Sequence, residues 1–218
     1  VSAVEEGRVI YRNIRKFIRY LLSCNIGEVV TMFLAMLMGM PVPLLPIQIL
    51  LINLVTDGLP AIALGLDPPD SDVMTEKPRR SGDSIFSGGL LTVILFRGML
   101  IGLTTIAVFS MLLTGGASLQ TARTGALAAL ILTQLIHVFE CKSERHSIFG
   151  IAWFSNLRLW GAVLVSVGLM ALTIYHPFLQ SLFQTVALTG DELLRIVTYS
   201  LVAPLISALW MILHPSRD

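Results

Sequence analysis

Six long apolar runs, at about 17–40, 44–63, 89–113, 124–141, 158–177 and 193–213, take up most of the 218 residues. At 1.5 Å per residue, each run coiled as a helix can cross a hydrocarbon core of about 30 Å. None alternates with the period of two that a membrane barrel strand requires. The runs therefore predict an all-α fold, a polytopic membrane bundle of six transmembrane helices. Lipid offers the backbone no hydrogen-bonding partner, so helices satisfy it internally. With 55% hydrophobic and 13% charged residues, the composition agrees.

Basic residues set the expected orientation. Arg8, Arg12, Arg15, Lys16 and Arg19 head the first run, Lys77, Arg79 and Arg80 separate the second from the third, and Lys142, Arg145 and Arg158 separate the fourth from the fifth. The alternate connections hold only Arg123 and Arg195. By the positive-inside rule both termini are cytoplasmic and the chain is an integral, multi-pass membrane protein. The first run is too long for a signal peptide and no small-residue cleavage site follows it. A net charge of +1 gives no sign of nucleic-acid binding.

Three segments follow from this reading. Residues 1–16 continue helix-favouring sequence out of the first span and predict a cytoplasmic stalk helix, the alternative being a solvated helix start whose long side chains snorkel. Residues 17–213 form the six-span membrane domain, and 214–218 a cytoplasmic tail. Within the domain the connection at about 64–88 carries Pro68, Pro69, Pro78 and the acids Asp67, Asp70 and Asp72, with too few apolar residues for a core of its own. It reads as a docking loop or a plain connector.

Carboxylates inside spans are costly and usually functional. Asn53, Thr56 and Asp57 stand at i, i+3 and i+4 in the second run, and Asn25 and Glu28 at i and i+3 in the first. Each set shares a helix face. Such oxygen donors suit hard cations, calcium taking six to eight of them. Pro60 has no amide hydrogen to offer the carbonyl of Thr56, and Gly58 eases unwinding, so this span is expected to break beside Asp57 and expose carbonyl ligands. Taken singly, the amides and hydroxyls would read as interhelical contacts. In the fourth run Thr133, Gln134 and His137 face the interior; Gln134 is a candidate ligand, and His137 reads as a polar contact between helices. Glu140 and Glu144, at the end of that run, are expected to be solvated. Cys24 and Cys141 read as packing residues, and His146, His176 and His214 have no ligand at metal spacing.

The stretches "EEGRVIYRNIRKFIRYLLSCNIGEVV", "NLVTDGLPAIALGLDPPDSDVM" and "KPRR" resemble the C-terminal membrane half of P-type calcium-transporting ATPases of the sarcoplasmic-reticulum type, as the last six of ten spans. The resemblance implies a pump in which ATP phosphorylates a cytoplasmic aspartate and the stalk carries domain motions to the membrane. It implies that Asn25, Glu28, Asn53, Thr56 and Asp57 are ion ligands, Asp57 bridging both ion positions in two-site members. It also implies calcium as the transported ion, with ATP and magnesium needed only by the full-length protein. No DKTGT or TGDGVND motif is present, so the chain reads as a fragment without catalytic residues, whose partners are calcium, the bilayer and the missing N-terminal half.

Gln134 stands where reticulum-type pumps have a glutamate, and the short "TGGASLQ" connection points to a compact bacterial-type pump of the plasma membrane. One calcium per cycle is expected, bound mainly by Asn53, Asp57 and an acid of the missing fourth span. Asn25, Glu28, Thr56 and Gln134 would be a weak second position. A pump for manganese, sodium or protons, and a secondary cation transporter, are the alternative readings.

Overall fold

A computed structural model describes residues 2–68, 84–143, 151 and 153–213. Among these the ordered elements are all helical, and six helical segments are long and apolar enough to span a membrane. The first, α1 (Ser2–Leu37), is a single helix of 36 residues, about 54 Å long and well beyond the thickness of a hydrocarbon core. It stops where Gly39 turns left-handed at φ +64°.

The second span has three parts: α2 (Pro46–Leu51), a π-helical turn (Ile52–Thr56) and α3 (Gly58–Gly65). Pro46 opens it at a position where a missing amide hydrogen costs nothing, and Gln48 Oε1 accepts from the Leu45 amide. Three unbroken helices follow, α4 (Leu90–Thr114), α5 (Leu119–Glu140) and α6 (Leu157–Tyr175). A short α7 (Pro177–Phe183) lies in the next connection. The last span is α8 (Gly190–Ser200) and α9 (Val202–Leu213), interrupted at Leu201. Pro204 leaves the carbonyl of Ser200 without an amide there.

All six apolar runs thus appear as spans. The differences are the π turn, the interruption at Leu201 and α7. The docking-loop residues Asp70 and Asp72, the basic residues Lys77, Arg79, Arg80 and Arg145, and Glu144, His146 and His214 lie outside the described residues.

Two packing features fix the site. α5 is the central helix: 83% of its most apolar window is buried, against 33% for α6. α1 and α4 meet along a glycine seam. A Cβ added to Gly27 would lie 2.6 Å from Ile101 Cγ2, one on Gly102 would lie 2.5 Å from Val30 Cγ1, and one on Gly98 would strike Ile26. Small residues let membrane helices approach until their backbones touch, and here they hold the Glu28 turn of α1 against α4.

Three of the five basic residues at the head of α1 are packed inside the protein and do not snorkel, while Arg8 and Arg12 are half-buried. Arg15, Lys16 and Arg19 are buried. Arg15 donates to the carbonyls of Ile85 and Ser87 at 2.6 and 3.1 Å, and Arg19 to that of Ser143 at 2.9 Å. Lys16 pairs with Asp67 at 2.7 Å. Asp67, an acid of the connection at about 64–88, is thus a buried ion-pair partner.

Candidate ion-binding site

Glu28, on the buried face of α1, is the centre of the site. Its Oε2 accepts from Asn53 Nδ2 at 2.7 Å and its Oε1 from Gln134 Nε2 at 3.4 Å. An ionised carboxylate accepts only, so both amides turn their NH2 ends toward it. The spans that begin with α1, α2 and α5 thereby meet at one carboxylate.

Asp57, one turn beyond Asn53, is 1% exposed. Its Oδ1 accepts from the Tyr20 hydroxyl at 3.0 Å, and its Oδ2 has no partner. Gln134 Oε1 is likewise buried and unpartnered. Orphaned buried polar atoms are rare and cost about 1–3 kcal/mol each, so two acceptors without donors mark a place suited to a cation.

The π turn explains how Asp57 reaches this position. Its amide bonds to the carbonyl of Ile52, five residues back, so an extra residue is accommodated just before the acid. The expected break at Pro60 is not an open one. The Thr56 carbonyl accepts from Ser166 Oγ of α6 at 3.4 Å, and α3 resumes with Ala61 bonded to the Asp57 carbonyl. The irregularity precedes the acid instead of following it, and the expectation of a freed Thr56 carbonyl is corrected.

The other candidates separate. Thr56 is buried, but its Oγ1 bonds to the Ile52 carbonyl of its own helix. Asn25 is exposed and donates to the Leu21 carbonyl at 2.8 Å, so its side chain does not join Glu28 here. Thr133 bonds to Ala129 of its own helix. Among the described residues no three His, Cys, Asp or Glu side chains are grouped to hold a metal; the grouping here is of carboxylates with amides.

Sequence reasoning missed Tyr20, although Tyr20, Cys24 and Glu28 stand at i, i+4 and i+8 on one face. It also missed Arg97, and the expectation that Glu140 is solvated is wrong. Glu140 is 4% exposed, with its Oε1 accepting from Arg97 Nη1 of α4 at 2.9 Å and from Ser207 Oγ of α9 at 2.8 Å, and its Oε2 2.8 Å from His137 Nδ1. Burial between three helices keeps lipid and water from this carboxylate. His137 Nε2 is 3.3 Å from Cys141 Sγ, and the His137 ring lies beside that of Tyr20, centroids 6.2 Å apart. Both cysteines are buried and free.

Residues 41–213 match the family model described as "Cation transporting ATPase, C-terminus". The chain is similar to the calcium-transporting ATPase of Bacillus subtilis (strain 168), 50% identical over 202 residues that cover 92% of this chain and 23% of that protein. It is 44% identical to calcium-transporting ATPase 1 of Bacillus cereus, over 87% of the chain and 23% of the relative. It is 37% identical to the endoplasmic reticulum-type calcium-transporting ATPase 3 of Arabidopsis thaliana, over 88% and 22%. The chain spans about a quarter of the length of these relatives. With six spans, buried intramembrane carboxylates and this match over most of its length, the chain is a multi-pass membrane protein that belongs to the C-terminal family of cation-transporting ATPases.

Proposed function

We propose that this chain is the ion-binding and translocating part of an ATP-driven calcium pump. Glu28, Asn53, Asp57 and Gln134 form the core of the ion path. The observation that carries this reading is the pair of buried oxygens without donors, Asp57 Oδ2 and Gln134 Oε1, beside a carboxylate held by two amides. Calcium prefers such a mixture of carboxylate and neutral oxygen ligands. The names of the relatives support calcium over manganese, sodium or protons.

Asn25, exposed, and Asn53, half-buried, border the open side of the site. A further acid from outside this chain enters on that side, and Asn25 and Thr56 become ligands by rotating away from their own helices. ATP, magnesium and the phosphorylated aspartate belong to the part of the pump that precedes the stalk. Both termini face the cytoplasm, and the membrane is a bacterial plasma membrane.

The test is Asp57→Asn in the full-length pump. Calcium-dependent phosphorylation from ATP is lost, while phosphorylation from inorganic phosphate, which needs no transported ion, persists. Calcium-dependent phosphoenzyme at unchanged calcium affinity rejects the assignment. If the unsubstituted pump is phosphorylated in response to manganese or sodium but not calcium, the site stands and the ion changes.

A further inference from the structure

Away from the ion site, where α3 stops and α6 starts, Lys16, Asp67, Asn13 and Asn156 form a buried polar joint. Lys16 Nζ donates to Asp67 Oδ2 at 2.7 Å, the two side chains being 4% and 3% exposed. Asp67 Oδ1 accepts from Asn156 Nδ2 at 2.9 Å, and the same amide donates to the Ala63 carbonyl at 3.0 Å. Asn156 Oδ1 caps α6 by accepting from the Leu159 amide. Asn13 Nδ2 donates to the carbonyls of Asp67 and Gly65 at 2.8 and 3.4 Å. The last carbonyls of a helix have no amide to accept from, and side chains of α1 and the α6 cap supply donors here.

The joint lies at similar distances from the two acids. Asp67 is ten residues past Asp57, and Lys16 is twelve before Glu28. The helical parts of those intervals are about 12 Å and about 18 Å long. The first arm is α3, and the second is uninterrupted α1. A change of angle at the joint is magnified along arms of that length, so the joint governs how far Glu28 stands from Asn53 and Asp57.

We propose that Lys16 and Asp67 are positioning residues of the ion site, a fixed joint that sets the angle between the two acid-bearing helices. Neither touches the ion. The inference rests on the calcium-site reading above, and it adds a pair that sequence spacing alone would leave as a stalk cation and a loop acid. A buried ion pair is a weak source of net stability, whereas removing one partner strands a charge and shifts what surrounds it.

The experiment uses the full-length pump with Lys16→Gln, Asp67→Asn and both together, since an amide pair keeps a hydrogen bond without either charge. Each single variant raises the calcium concentration for half-maximal phosphorylation from ATP by about tenfold, the low end of what disturbing the support behind metal ligands costs in affinity. Maximal phosphorylation, and phosphorylation from inorganic phosphate, stay unchanged. The double variant returns to within about threefold of the unsubstituted pump, because the two positions act as one.

A pair that only stabilises the fold would lower both phosphoenzyme levels together without moving the calcium dependence. That result overturns the proposal, as does an unshifted calcium dependence in both single variants. Hydrogen–deuterium exchange over residues 58–66, measured without calcium, gives a reading independent of the ion. Faster exchange in each single variant and restored exchange in the double are expected. Unchanged exchange in the single variants overturns the joint whatever ion is carried. Failure of the calcium reading appears instead in the unsubstituted pump, as phosphorylation indifferent to calcium.

Discussion

Gln134 donates one end of its amide to Glu28 and leaves the other without a partner, so at this position the site holds a dipole where a charge could stand. Two divalent ions in one low-dielectric cavity repel strongly unless enough carboxylates surround them. With Glu28 and Asp57 as the acids that the described residues bring to the proposed site, we expect one calcium per phosphorylation site in equilibrium binding to the purified pump. Gln134→Glu should add a second, cooperative ion; two ions in the unsubstituted pump would sink the argument. Residue spacing put Glu28, Asn53 and Asp57 on buried or half-buried helix faces, and the structure brings Asn53 and Gln134 to Glu28; their role as ligands stays the proposal. Spacing did not show that Asn25 lies at the edge of the bundle, for a geometric reason. Residues at i and i+3 are about 60° apart around a helix, and the edge of the bundle falls between Asn25 and its buried neighbours Cys24 and Glu28.

Among the elements, the second span and the α1–α4 seam show what sequence can and cannot give. Pro60 and Gly58 correctly marked the second span as irregular, yet nothing local showed a π turn on the other side of Asp57. The hydroxyl that satisfies Thr56 comes from Ser166, 110 residues away. The seam is equally non-local, because Gly27, Gly98 and Gly102 look like ordinary helix glycines until α1 and α4 are brought together. Gly98→Val should therefore destabilise the bundle by about 1–3 kcal/mol through overpacking against Ile26. Thermal unfolding in detergent reads this directly. An unchanged midpoint would mean that the seam can open freely, and that Glu28 is not held by it.

For the molecule as a whole, six apolar runs were enough to give the bundle, since length and hydropathy decide what can cross lipid. The polar connections between helices were not legible, because Lys16, Asp67 and Glu140 read locally as charges at span ends or in a loop, and nothing near Arg97 in the sequence names its partner. Glu140 joins α4, α5 and α9 through Arg97, His137 and Ser207. Glu140→Ala should cost about 3–5 kcal/mol by removing the buried carboxylate that joins Arg97, His137 and Ser207, while Arg97→Met with Glu140→Met should recover most of the loss. Unfolding midpoints of the three proteins decide it, and equal midpoints for the single and double variants would show that the pair is not the cause. Arg97 also has a consequence for how the chain is made. An arginine within a span opposes membrane insertion by up to about 2.5–3.5 kcal/mol, the cost at a helix centre, and the Glu140 carboxylate that pairs with Arg97 is synthesised 43 residues later. During biogenesis the Arg97 guanidinium is therefore without this carboxylate until α5 is made, although α4 can already pack along the glycine seam of α1, and Ser207 of the final helix adds its hydrogen bond to Glu140 last.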